Sequence, residues 1–212
     1  MIIKIQKIIN NKFSRFFKFI FFIRYLLLIF FLTVALFLLI PNFFDYKKKS
    51  DVIRNTLHKN FGITTEELDN IHFKSFPVPH FKLNNLVHNF TLKKKEFISE
   101  DFEIYPKLTN IYNFNNFEIK KIKIKKSKIN LNLDELKILT KNILSKEKKI
   151  NLQDLGIYLT NKETPILNLK KINFSNYGYK KDIIEGEVFN KKFKIKSFDN
   201  KKKIDFKLFE SG

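Results

Sequence analysis

His72, His80 and His88 recur every eight residues, and a histidine row first suggests a metal centre built from imidazole nitrogens. Pro77 and Pro79 interrupt the chain between the first two, so no single strand carries all three. No His or carboxylate pair has a recognisable ligand spacing either. No metal site and no cofactor is expected. Glu66, Glu67 and Asp69 come nearest to paired carboxylates, yet nothing around them promises the burial that would separate two carboxyl pKa values for acid/base work. They read as solvated loop charges. The 212 residues include no Cys, no G-x-S-x-G elbow and no G-x-x-x-x-G-K phosphate loop, so disulfides are excluded and the chain does not read as an enzyme.

What remains is lysine. The stretch 117–133, FEIKKIKIKKSKINLNL, sets apolar residues at alternate places and fills most gaps with Lys. Those lysines either grip phosphates or form the wet back of a sheet whose dry front does the work. The net charge is +20, but Arg15, Arg24 and Arg54 are the only arginines, and Arg is the side chain that bidentate phosphate and base recognition favours. Lys, Asn, Ile and Phe crowd the sequence together, a bias that an AT-rich coding sequence produces without any binding purpose. Single-strand binders stack bases on exposed aromatics, whereas here Phe shares the apolar places with Ile and Leu. Nucleic acid is not an expected partner.

The basic residues are unevenly placed. Six of them (Lys4, Lys7, Lys12, Arg15, Lys18 and Arg24) precede the first acid, Asp45. Between lies a run, 25–40, that is apolar but for Thr33 and gives about 24 Å of helix, or roughly 30 Å if it continues to Phe44. That length crosses a bilayer core. Tyr25, Leu26, Leu27, Leu28, Ile29, Phe30, Phe31 and Leu32 form the heart of this anchor; Lys18 and Arg24 can snorkel at one end, and Pro41 and Asn42 close the other. A cleaved signal would need small residues of the A-x-A kind, and PNFFDYKKK has none, so the span reads as an uncleaved signal anchor. By the positive-inside rule the N-terminus is cytoplasmic. Residues 1–18 are then a basic cytoplasmic tail, 19–44 the transmembrane anchor and 45–212 an exported β-rich domain, with an anionic lipid surface the more available partner for its charge.

Beyond the anchor, SDVIRNTLHKNFG predicts a short amphipathic helix, with Ser50 as N-cap, Ile53, Leu57 and Phe61 on one face and Gly62 as the stop. The period then changes to two: Phe81 and Leu83, Phe90 and Leu92, Phe102 and Ile104, Phe117 and Ile119, and Ile129 with Leu131 and Leu133 alternate as half-buried strands do. DELKILTKNILS breaks the alternation with Leu136, Leu139, Ile143 and Leu144, a second helix with Asp134 near its cap. Strands resume at 157–159, 167–174, 183–189, 193–195 and 204–208. FEIKKIKI and LNLKKINF share one plan, in which a Lys-Lys pair shifts the phase by one residue. In a sheet that means a bulge or a turn, and a bulge adds curvature.

The fold class is therefore mainly β with few helices: an N-terminal transmembrane helix, then a curled antiparallel sheet with an apolar concave face and two short helices. About eight seven-residue strands make a sheet of roughly 38 by 23 Å, and two helices about 18 Å long and 10 Å wide cover less than half of it. Either the sheet closes on itself as a dry core or it stays open as a trough finished by an apolar ligand.

The order of features resembles the N-terminal region of the AsmA-like proteins of Gram-negative bacteria: a basic start, one span ending in proline, a helix closed by Gly62, SFPVPHFKLNNL, then the unit from 102 to 133. Pro77 and Pro79 match the family's Pro-x-Pro element; as residues alone they read equally as an edge-strand stop. The likeness covers roughly residues 20–145, and family members are usually several times longer. It implies an inner-membrane-anchored periplasmic protein of curled sheet with a greasy groove, related to chorein-type bridges that carry phospholipids between membranes.

On this basis the chain is expected to support phospholipid transport or outer-membrane assembly, with phospholipid acyl chains as ligand and outer-membrane assembly proteins as further partners. Phe102, Ile104, Phe117, Ile119, Ile129, Leu131 and Leu133 are the expected lining. The alternative is an anchored structural or interaction protein with a closed β core and no lipid.

Overall fold

A computed structural model describes residues 2–65, 68, 71–90, 97–145, 147–161, 164–198 and 203–209. Glu66, Glu67, Asp69 and Leu92 lie outside the described residues, as does the side chain of Leu144. The chain divides into two compact units, one ending at Phe43 and the other beginning at Phe44.

The first unit is one long helix, α1 (Ile2–Leu39), followed by a single 3-10 turn. Its stretch Lys18–Phe43, 26 residues of mean hydropathy 2.7, is long and apolar enough to cross a membrane. Tyr25 through Leu32 are exposed on every side of the helix, so the apolar surface is not that of a buried core helix.

The second unit holds α2 (Ser50–Phe61) and the strands β1 (Ile63–Thr65), β2 (His72–Lys74), β3 (His80–Phe90), β4 (Phe97–Pro106) and β5 (Ile119–Leu131). Helix α3 (Leu133–Ser145) follows, then β6 (Lys149–Asn161), β7 (Thr164–Ser175), β8 (Ile183–Val188), β9 (Lys191–Phe198) and β10 (Lys203–Phe209). All ten described strands belong to one sheet, which runs in order from β1 through β3 to β10, with β2 beside β1 on the same edge of β3. The sheet is therefore single and open. Every pairing is antiparallel except β5 with β6, which are parallel because α3 returns the chain to the end from which β5 began. That one parallel step is the difference from the wholly antiparallel sheet expected.

Both helices start differently from the sequence reading. A 3-10 turn at Lys47–Lys49 runs directly into α2, so Ser50 is its first residue and not its cap; Gly62, at φ 65°, ends it with its N–H on the His58 carbonyl at 2.8 Å. Asn132 caps α3. Its side-chain oxygen accepts the Glu135 N–H, and the Glu135 carboxylate accepts the Asn132 N–H, both at 2.8 Å.

Five neighbouring strands share a phase slip. In β3 the buried residues are Phe81 and Leu83, then Leu86 and His88; in β4, Phe97 and Ser99, then Phe102 and Ile104; in β5, Ile122 and Ile124, then Ser127 and Ile129. Strand β6 repeats this with Ile150 and Leu152, then Leu155 and Ile157, and β7 with Leu167 and Leu169, then Ile172 and Phe174. The slip occurs where Asn85, Lys126, Asp154 and Lys171 take φ of 51°, 49°, 57° and 51°. The register on either side (Asn84 with Asp101, Leu86 with Ser99, Ser99 with Ser127, Ser127 with Leu155) puts Asn85, Glu100, Lys126 and Asp154 on one transverse line. Because neighbouring strands slip together, β3 through β6 stay paired one to one and the apolar set stays on one face. In β7 the slip falls at the Lys170-Lys171 pair, displaced a residue or two along the strand from this line because the β6–β7 register itself shifts there, and the Lys120-Lys121 pair falls at a separate bulge opposite Tyr105 and Pro106.

Candidate lipid-binding face

The apolar face is covered unevenly, and the order of elements explains why. Helix α2 precedes β1 and lies over the first strands, with Ile53, Leu57 and Phe61 fully buried. The segment between β4 and β5 folds over the same half, with Ile111 buried and Phe114 stacked on Phe117 at 5.0 Å, and Tyr46, just ahead of α2, meets Phe81 edge-on at 4.8 Å. Helix α3 lies over β6 through Leu139 and Ile143. No described helix follows it, so exposure grows strand by strand: Leu167, Leu169, Ile184, Val188 and Ile195 are half-buried, and Ile204, Phe206 and Leu208 are 70%, 58% and 49% exposed.

The result is a trough of about 390 Å³ walled by Leu136, Leu139 and Ile143 of α3. Its floor is Leu152, Leu155 and Ile157 of β6, Leu167, Leu169, Ile172 and Phe174 of β7, Ile184 and Val188 of β8, Phe193 and Ile195 of β9, and Phe206 of β10. Thr140 is the one polar residue in the lining, and its hydroxyl is donated to the Leu136 and Lys137 carbonyls, each at 2.9 Å. Gly186 lies under the Phe193 ring: a Cβ there would stand 2.9 Å from two ring carbons. The missing side chain lets that ring lie across the strand as part of the floor.

The seven expected lining residues all lie outside this trough. Phe102 and Ile104 are wholly buried in the covered half, Phe117 is buried against Phe114 and Ile119 is buried at the start of β5, and Ile129 and Leu131 are buried on β5 beside Ile157 and Leu159. Leu133 is not a strand residue. It is the first residue of α3 and is 54% exposed, because the Asn132 cap turns the chain out of the sheet before it. The seven thus mark the dry core and one helix start, and the open trough begins on the next strand. Sequence order held the missing signal: after α3 the chain has strand after strand of alternating apolar residues and no further amphipathic helix to lie on them.

The lysines occupy the other face, many of them paired with carboxylates across strands. Lys82 meets Asp101 at 2.6 Å, Lys194 and Lys180 meet Glu185 at 2.8 and 3.2 Å, and Lys171 meets Glu187 at 3.0 Å. The hydrogen bond from Lys82 holds the Asp101 carboxyl below its ordinary pKa, and those from Lys194 and Lys180 do the same for Glu185. Glu103 is buried, which raises its pKa, but hydrogen bonds from Lys125 and from the Tyr105 hydroxyl outweigh that and keep it ionised. Lys121 stands 4.1 Å from the Tyr105 ring centre, and its pKa is lowered by burial and by neighbouring Lys120.

The three histidines are not brought together. His72 pairs with Lys82 at the sheet edge, His80 stacks on Tyr105, and His88, about 27 Å further along β3, lies buried between Phe97 and Phe102. Comparison with known proteins gives no matching family model, no matching curated protein and no matching solved structure.

Proposed function

We propose that this is a single-span protein of the bacterial inner membrane whose periplasmic sheet shields phospholipid acyl chains, supporting phospholipid transport or outer-membrane assembly in the manner of the AsmA-like pattern. One observation carries the reading: the apolar face is sealed over β1–β5, covered by α3 at β6, and increasingly open over β7–β10, where it forms a trough without a free polar group. Each methylene kept from water is worth about 0.8 kcal/mol, so a hydrocarbon chain is the ligand that such a surface rewards most. The six basic residues ahead of the span and the three lysines just behind it support a cytoplasmic N-terminus and, with it, a periplasmic trough. No covalent chemistry is involved.

Site-resolved photocrosslinking of the full chain in cells tests this. A photoreactive residue at Leu169 or Ile195 is expected to capture phospholipid, whereas one at Phe102, in the sealed half, or at Lys192, on the polar face, is not. Equal capture at Lys192, or none in the trough, overturns the reading. The sealed half favours the second reading, an anchored interaction protein with a dry core; that protein would capture no lipid at any of these positions.

A further inference from the structure

We propose that β10 is a self-pairing edge, and that two copies of this chain join through it about a two-fold axis perpendicular to the sheet. Among the described residues β10 has one neighbour, β9. Its register with β9, Phe206 opposite Ile195 and Leu208 opposite Phe193, puts Ile204, Phe206 and Leu208 on the apolar face and Asp205 and Lys207 on the polar one. Edge strands ordinarily resist pairing by carrying charges or proline on the side that would be buried, and this row carries neither.

The sequence of β10, KIDFKLF, complements itself when it is run antiparallel to a copy and centred on Phe206. Phe206 then faces Phe206 of the second copy, Ile204 faces Leu208 twice, and Asp205 faces Lys207 twice. Every side chain from 204 to 208 meets an apolar or opposite-charge counterpart, the pairings that stabilise adjacent strands. Lys207 also discriminates, because a strand that sets a lysine across from it is repelled while this strand presents Asp205. Such an axis keeps both apolar faces on one side, so the two troughs become one continuous floor. This pairing does not depend on what the trough holds.

Seven paired residues make a seam about 24 Å long, at the small end of specific interfaces. Confinement of both copies to one membrane raises their effective concentration, so the dimer belongs to the anchored protein.

The chain has no Cys, so each introduced thiol is the only one. In full-length protein reconstituted in phospholipid vesicles, Phe206→Cys should oxidise to a disulfide-linked dimer. Ile204→Cys and Leu208→Cys should crosslink when mixed, at least tenfold better than either alone, because like positions are then about 14 Å apart, beyond disulfide reach. Adding Lys207→Asp to Phe206→Cys should lower the linked fraction at least tenfold, and adding Asp205→Lys as well should restore it with the charges exchanged. Linkage at Phe206 no better than at Tyr179→Cys, a fully exposed position away from the edge, overturns the proposal. So does a charge exchange that fails to rescue.

Discussion

At the scale of single residues, the buried His88 is the side chain whose protonation should be felt by the whole fold. It lies between Phe97 and Phe102 with Nδ1 3.4 Å from the Leu86 carbonyl, and burial lowers its pKa to about 4 against a hydrogen bond that works the other way. The unfolded chain takes up this proton near pH 6.5 and the folded chain does not until about pH 4. Folding is therefore fully favoured above 6.5 and loses stability as pH falls through that window, by about 3 kcal/mol in all. Asp101, Glu103 and Glu185 are held below the ordinary carboxylate range by their lysines and stay ionised between pH 6.5 and 5, so melting of His88→Leu should be nearly flat there while the unmodified protein declines. Equal slopes would mean that His88 is solvated. Gly186 gives a second test at this scale: Gly186→Ala drives a methyl into the Phe193 ring and should cost about 1–3 kcal/mol, which Phe193→Leu in the same chain recovers in part.

At the scale of elements, an almost transverse line of phase slips, at a positive-φ residue in β3, β5, β6 and β7, lets five strands keep one dry face. A residue with positive φ resets which neighbour faces inward; Gly, Asn and Asp adopt it most readily, an unbranched Lys at some cost, and a β-branched side chain only with real strain. Asn85→Val should therefore lower the melting midpoint by the equivalent of about 1–2 kcal/mol, while Asn85→Gly changes it little, although position 85 is exposed and neither change touches the core. Identical losses would show that the cost lies in the Asn side chain and not in the backbone. This line was partly legible: the Lys170-Lys171 pair announces a phase shift inside an otherwise alternating strand. Asn84-Asn85 and Gln153-Asp154 do the same work with other residues, so the common pattern is inward, out, inward, out, out, inward, out, inward, with His88, Ser99 and Ser127 at inward places, and not the lysine pair itself. The parallel step between β5 and β6 was not legible, because a crossover helix and a helix in an antiparallel meander have the same amphipathic period. The lining residues were misplaced for a related reason. Alternation identifies the dry face of every strand, but which strands a helix covers depends on where it packs, and Phe102 alternates as regularly as Leu169.

At the scale of the whole molecule, the question is whether the open half of the sheet is a binding surface or an unfinished core, and thermodynamic linkage separates the two. A ligand that binds the folded state alone stabilises it by about 2.7 kcal/mol when present at a hundred times its dissociation constant. For a unit of this size that is roughly 5–10 °C in melting midpoint. Long-chain phospholipid added to the full-length protein in detergent should produce such a rise, and a headgroup analogue without acyl chains should not, because no lysine is among the residues that line the trough. The span α1 would take up lipid in any case, so the control lies in the second unit. Leu169→Asp and Ile195→Asp put a carboxylate on a half-buried part of the trough floor, where an apolar ligand would have to desolvate it; they should abolish the rise and leave α1 unchanged. Lys123→Ser, on the polar face, should leave the rise intact. If the Asp variants respond to lipid as fully as the unmodified chain, the stabilisation comes from the anchor, and the trough is not where acyl chains go.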